Sequence, residues 1–245
     1  MKFLTLICLC IVSGVLFPAS QLKAQSNSGD SVFYAAALSN AIAVYRQSSV
    51  DQSRLYNGRK YKPYALSFIN GVPFFQTDQF TEGSIIYEGG FYDKVKLLYD
   101  EVKDMVIVRT NAAIELINER IETFSLSGHT FVRLNKDSLH SNINTGFYEK
   151  LYGGKIEVYK KERKIIKENL STTEGVRGDI DQKIFYYLKK DDVYYLIKKK
   201  IHINEIFGDH QNKIQKFMKD KGLSFRKDSD NTLIQIAGFY DQLTR

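Results

Sequence analysis

Gly178-Asp179-Ile180-Asp181 holds two carboxylates two residues apart. On a strand they share one face, where such a pair can serve as acid and base at a glycosidic bond or as two ligands of a cation. Residues 172–178 before them are Gly-rich and read as a loop, where acids are common, so Asp179 and Asp181 alone do not make a site. Arg177-Gly178-Asp179 also spells a cell-adhesion tripeptide, a pattern that often arises by chance. A second stretch, Tyr194 to His202, interleaves rings with Lys198, Lys199 and Lys200, just after Lys189 and Lys190. Tyr194, Lys198, Lys199 and Lys200 are the candidate ligand-binding residues, because a basic patch flanked by rings suits an anionic glycan or lipid head group. The plainer reading of the same residues is a solvated strand end.

Other chemistry is argued against. His129, His140, His202 and His210 are scattered, with no helical pair and no HExxH, so no metal site is expected. Asp228-Ser229-Asp230-Asn231-Thr232 opens like a calcium loop, but its sixth position is Leu233 and its twelfth is Phe239, where such a loop needs Gly and Glu. The same acids suit the start of a helix. There is no GxSxG, SxxK, phosphate loop or dinucleotide fingerprint, so neither a nucleophile nor a cofactor is indicated. Asn169-Leu170-Ser171 is a glycosylation sequon, relevant only where exported proteins are glycosylated.

The elements that must position these residues are mostly strands. Residues 55–200 read as an antiparallel β domain, a meander that is rolled or sandwiched. Asn70-Gly71 predicts a hairpin turn, with Pro73 on an edge arm. In residues 91–99, Phe91, Val95, Leu97 and Tyr99 are expected on one face. Short strands follow at 105–109, 113–119, 121–125 and 130–134. A second hairpin turns at Gly153-Gly154, and a third joins 184–188 to 193–197. Gly-Phe-Tyr occurs at residues 90, 146 and 238, at unequal spacings that argue against a tandem array. The first two copies predict Phe91 and Phe147 inward with Tyr92 and Tyr148 more exposed.

Helices are expected at both ends. Residues 25–54 read as a tail and a helix over 31–45. Residues 201–245 read as a helical hairpin packed on the sheet. Its first helix carries Ile214, Phe217 and Met218, starts at Asp209 and ends at Gly222. Its second is capped by Asp228–Asp230 and buries Leu233, Ile236, Ala237, Tyr240 and Leu243. The fold class expected is thus α+β, mainly β, with an N-terminal helix and a C-terminal helical hairpin.

Residues 1–24 have the order of a secretory signal: Lys2, an uncharged apolar run from Phe3 to Phe17, then Ala24 before Gln25. The run is shorter than the roughly 20 residues of a membrane span. Both cysteines, Cys8 and Cys10, lie within it, so the mature chain is expected to be free of disulfides and thiolates. Losing Lys2 and Lys23 reduces 35 basic residues to 33 against 28 acidic ones, a net charge of +5. A basic exported chain is matched to anionic lipid or phosphorylated glycolipid rather than to nucleic acid. With 16 Phe, 16 Tyr and no Trp, the composition suits pleated strands.

Three stretches carry a resemblance: LKAQ at the end of the signal, GSIIYEGGFYDKVKLLYDEVKDMVIV in the middle, and IFGDHQNKIQKFMKDKGLSF with LIQIAGFYDQL at the end. Together they resemble a loose group of uncharacterised secreted proteins of Gram-negative bacterial cell envelopes, over most of the mature chain. The resemblance implies a periplasmic or outer-membrane-associated location and supplies no catalytic residues. The function expected is a non-enzymatic binding or structural module that meets an envelope protein, glycan or lipid. A carrier of an apolar or lipid ligand requires a wide cavity between sheet and C-terminal helices. A hydrolase uses either an unrecognised triad of His, Ser and Asp from scattered positions or Asp179 and Asp181, which must then converge with another polar group in a cleft.

Overall fold

A computed structural model describes residue 55 and residues 58–136, 143–171, 175–198 and 206–244, all within one compact unit, residues 46–245. The signal segment, the helix expected over 31–45, His140, Lys199, Lys200 and His202 lie outside the described residues. Twelve strands form one open sheet: β1 (Arg59–Lys60), β2 (Ser67–Asn70), β3 (Thr81–Tyr87), β4 (Gly90–Asp100), β5 (Met105–Arg109), β6 (Ala113–Glu115), β7 (Ile121–Leu126), β8 (His129–Leu134), β9 (Gly146–Tyr152), β10 (Glu157–Ser171), β11 (Gly175–Lys190) and β12 (Val193–Ile197). Their order in space is β1-β6-β5-β4-β3-β7-β8-β9-β10-β11-β12, antiparallel throughout, with β2 added in parallel to β11. Towards the C-terminus the described residues include the helices α1 (Gln211–Asp220) and α2 (Ser229–Leu243). The protein is therefore mainly β with a C-terminal helical pair, as its strand patterning and terminal periodicity predict.

The sheet has two cores on one face. Over β3–β9 the inward side chains are aromatic: Tyr99, Phe124, Phe131 and Phe147 are at most 4% exposed. Phe124 stacks on Phe131 at 4.7 Å, and Tyr99 meets both edge-on or tilted at 5.2 Å. Over β9–β12 the same face is covered by the helices. Ile156, Val158, Leu188, Ile214, Leu233, Ile236 and Ala237 are wholly buried there. The larger of these side chains each contribute roughly 1.5–3 kcal/mol by leaving water. Asp228 caps α2 by accepting from the Asn231 amide at 3.0 Å, and Gly222 turns the chain after α1 at φ +62°. Asp209 does not cap α1: it sits in a short 3-10 turn, Gly208–His210, that precedes the helix. Asp230 and Asp241 of α2 tie the helix to the sheet, Asp230 through Lys160 at 2.8 Å and Tyr186 at 2.5 Å, and Asp241 through Tyr152 at 3.0 Å.

Other sequence expectations fail for identifiable reasons. Phe91 is 38% exposed and Tyr92 is buried, the reverse of the expected order. Val95 pairs with Gly83 and Tyr92 with Ile85, so three steps on β4 oppose two on β3. That bulge, with Lys94 at φ +54°, shifts the alternation and puts Tyr92 on the side of Leu97 and Tyr99. In the second copy Phe147 is inward as expected, but Tyr148 is also buried, on the opposite face. Asn70-Gly71 makes no hairpin. Gly71 does adopt φ +75°, but β2 pairs with β11, and Pro73 and Phe75 instead bond the end of β4 through Glu101 N–H at 3.0 Å and Tyr99 C=O at 2.8 Å. Residues 175–178 are strand rather than loop, because β10 and β11 form a long ribbon of about 50 Å at ~3.3 Å per residue.

One junction holds the halves together. The β9–β10 ladder stops at Glu149 opposite Lys160, and β10 then diverges. Past that point the backbone of Phe147 bonds to side chains: its N–H donates to Asp104 Oδ2 at 3.3 Å and its C=O accepts from Lys161 Nζ at 2.7 Å. Lys161 and Asp104 pair with each other at 2.6 Å, and Tyr99 OH donates to the same Asp104 oxygen at 2.6 Å. Asp104 reaches this position from the β4–β5 turn at φ +54°. It fits only because residue 146 has no side chain: a Cβ there would lie 2.2 Å from Asp104 Oδ2. Gly146→Ala is accordingly expected to destabilise the protein by about 3 kcal/mol, seen as a fall of roughly 5–10 °C in melting temperature. An unchanged melting temperature would show that the junction yields freely.

Candidate functional site

On the face of the ribbon away from the helices lies a concavity of about 490 Å³. Alternation along each strand supplies its walls. On β10, Val158 and Lys160 face the helices, which leaves Lys161 and Arg163 on the other side. β11 contributes Phe185 and Tyr187 in the same way, and β12 contributes Leu196. Tyr148 comes from β9, with Asn144 and Thr145 from the segment before it. The β4–β5 turn closes one side with Glu101, Val102 and Asp104.

The aromatic floor is fixed in place. Tyr148 and Tyr187 meet edge to face at 5.4 Å. Tyr148 OH donates to the Asn144 carbonyl at 2.7 Å and accepts from its amide at 3.2 Å. Burial pushes both tyrosine hydroxyls above their ordinary pKa, so both remain neutral donors at neutral pH. The buried charges around the concavity are spent on structure. Burial lowers the Lys161 pKa, an effect that Asp104 opposes. Lys164 pairs with Glu101 at 2.8 Å and donates to the Phe74 carbonyl at 2.6 Å. Asp100, wholly buried, accepts from Tyr64 OH and from the amides of Val102 and Lys103, which shapes the turn. Arg163 is different: it is exposed, and no ion pair joins it to any described residue.

The residues singled out in the sequence fall elsewhere or at the margin. Tyr194 is on β12, two residues from Leu196, with its ring 6.0 Å from Tyr159 and Lys189 5.7 Å above it. Lys198 is exposed just past β12. Asp179 and Asp181 do share a side of β11, but they do not line the concavity. Asp179 accepts from Asn70 Nδ2 at 3.1 Å, and Asp181 pairs with Lys167 at 3.0 Å, which holds its carboxyl below the usual range. These are cross-strand pairs along the ribbon, without the convergence on a cleft that hydrolysis requires. His129 Nδ1 lies 2.5 Å from Glu149 and its ring meets Phe75 at 5.1 Å; the His210 ring packs on Tyr240 at 5.5 Å. Among the described residues no group of three or more His, Cys, Asp or Glu is placed to hold a metal ion. The cavity expected between sheet and helices is filled by the wholly buried residues of that interface.

The wall residue Glu101 gives the site a pH signature. Burial pushes its carboxyl from the ordinary 4.5 to about 7; Glu162 adds to the rise and Lys164 opposes it. Between those values the native state keeps a proton that the unfolded chain has released, so this group favours the folded state less as pH rises. The contribution is present in full below 4.5 and is lost by about pH 7. Glu101→Gln mimics the protonated form. Between about pH 5 and pH 8 the melting temperature of the parent should fall relative to that of the variant. Parallel curves would contradict the assignment.

Comparison with protein-family models, with curated proteins and with solved structures gives no match to this chain.

Proposed function

We propose that the chain is an exported cell-envelope binding module, without a catalytic role, whose ligand lies in the concavity against Tyr148, Tyr187, Phe185 and Leu196. The concavity itself carries the reading. Its volume, about 490 Å³, lies within the range of small-molecule sites, and it joins an apolar aromatic wall to a few polar groups, as such sites do. Its buried ionisable groups are engaged with one another, and the Thr145 hydroxyl accepts the Lys136 amide at 2.9 Å. No lining residue is a Ser, Cys or His that could serve as nucleophile or base. Export is supported by the charged start, apolar run and small residue of positions 1–24. A carrier with the helices as its lid finds no support in their packed interface, whereas a ligand on the opposite face needs no lid.

The test is titration with N-phenyl-naphthylamine, a neutral apolar probe that fluoresces when shielded from water. Saturable binding of one probe per chain is expected, weakened about tenfold or more by Leu196→Trp, which fills the wall. In producing cells the mature N-terminus should be found near Gln25 in the envelope fraction. Absence of saturable binding, or equal binding by the filled variant at an unchanged melting temperature, would overturn the reading.

A further inference from the structure

The β10–β11 register places Arg163 directly opposite Lys183. Both are exposed, and neither is ion-paired or hydrogen-bonded to a described residue. Side chains opposed in an antiparallel pair have Cβ atoms roughly 5 Å apart, and like charges there repel. Other cations on this face have partners: Lys161 has Asp104 at 2.6 Å, Lys167 has Asp181 at 3.0 Å, and Lys150 has Glu157 at 2.6 Å. Carboxylates around the concavity and along the ribbon make their ion pairs with other cations, Asp181 with Lys167, Glu101 with Lys164 and Asp104 with Lys161. The Arg163–Lys183 pair is thus a double positive charge with no direct ion pair, offset only in part by the field of Asp181 on Lys183, and Arg163 itself lines the concavity.

We propose that this pair recognises a phosphate monoester whose apolar body lies on the Tyr148–Tyr187 floor. The inference rests on the reading of the concavity as a ligand site and adds the chemistry of the ligand. A phosphate monoester carries close to two negative charges at neutral pH and three acceptor oxygens. It matches both cations at once: the planar Arg163 fork takes two oxygens and the Lys183 ammonium takes the third. A carboxylate, with one charge, leaves half of the repulsion in place. The phosphate stays at the exposed rim, where its desolvation is small, while the body of the ligand replaces water over the rings.

Calorimetric titration with naphthyl phosphate, naphthol and inorganic phosphate separates the parts. Naphthyl phosphate should bind about tenfold or more tightly than naphthol, and Arg163→Ala or Lys183→Ala should each remove about tenfold of that affinity. Lys183→Ala, which lies outside the lining, should leave naphthol binding unchanged, and neither substitution should lower the melting temperature, since each relieves a repulsion. Naphthol binding as tightly as its ester, or an ester affinity indifferent to both substitutions, overturns the phosphate assignment and leaves the concavity standing. Failure of naphthol, ester and neutral fluorescent probe together overturns the concavity as well. Flotation with phosphatidylcholine vesicles carrying phosphatidic acid, lost in the double variant, supports a lipid as the source of the ester. Binding of the soluble ester without flotation supports a soluble one.

Discussion

The structure depends on a partly buried side-chain pair that stands in for a missing stretch of β-ladder. Where β10 leaves β9, Phe147 loses a strand partner for its amide and carbonyl, and Asp104 and Lys161 take those bonds. Each is also bound to the other, and Tyr99 adds a donor to Asp104. A partly buried ion pair that also satisfies buried backbone groups differs from a surface salt bridge. Loss of one member leaves the buried Phe147 backbone group it served without a partner, at about 1–3 kcal/mol. The Asn118 side chain holds the Asp104 carbonyl at 2.7 Å, so the turn that carries the acid is itself anchored.

This substitution has a geometric consequence. A continuous ladder would keep β9 and β10 together, with the β4–β5 turn elsewhere. Instead β10 runs alongside the turn, and the Lys164 amide reaches the Glu101 carbonyl at 3.4 Å. The turn stands over the face of the ribbon opposite the helices and makes the third side of the concavity. One face of β10–β12 is closed by packed helices; the other is roofed only in part, by charged groups already in use. The proposed binding site is thus a by-product of how the two halves of the sheet are joined.

Much of this was legible from sequence where periodicity is local. The stripe of Leu233, Ile236 and Ala237 and the Asp228 cap both marked α2, and the run Met105–Arg109 marked β5 to the residue. Local periodicity fails where one extra residue enters a strand, as between Tyr92 and Val95. It fails again where a strand is polar on both faces: the run from Lys160 to Ser171 has no apolar alternation, so the ribbon appeared far too short. The site was not legible, because its walls come from segments around residues 101–104, 144–148, 161–163 and 185–196 that only the register brings together. One signal was available. In Lys160-Lys161-Glu162-Arg163-Lys164, read as a strand, Lys161 and Arg163 share a face. The basic run after Tyr194 is the more conspicuous in sequence, because its charges are consecutive rather than alternating.

The claim that Asp104 and Lys161 replace the ladder as one unit is tested most directly by a double-mutant cycle on stability with Asp104→Ala, Lys161→Met and the double variant. The account predicts that each single change costs about 1–3 kcal/mol and that the double variant costs less than their sum, a coupling of about 1 kcal/mol or more. Single effects that add to within about 0.5 kcal/mol would contradict it.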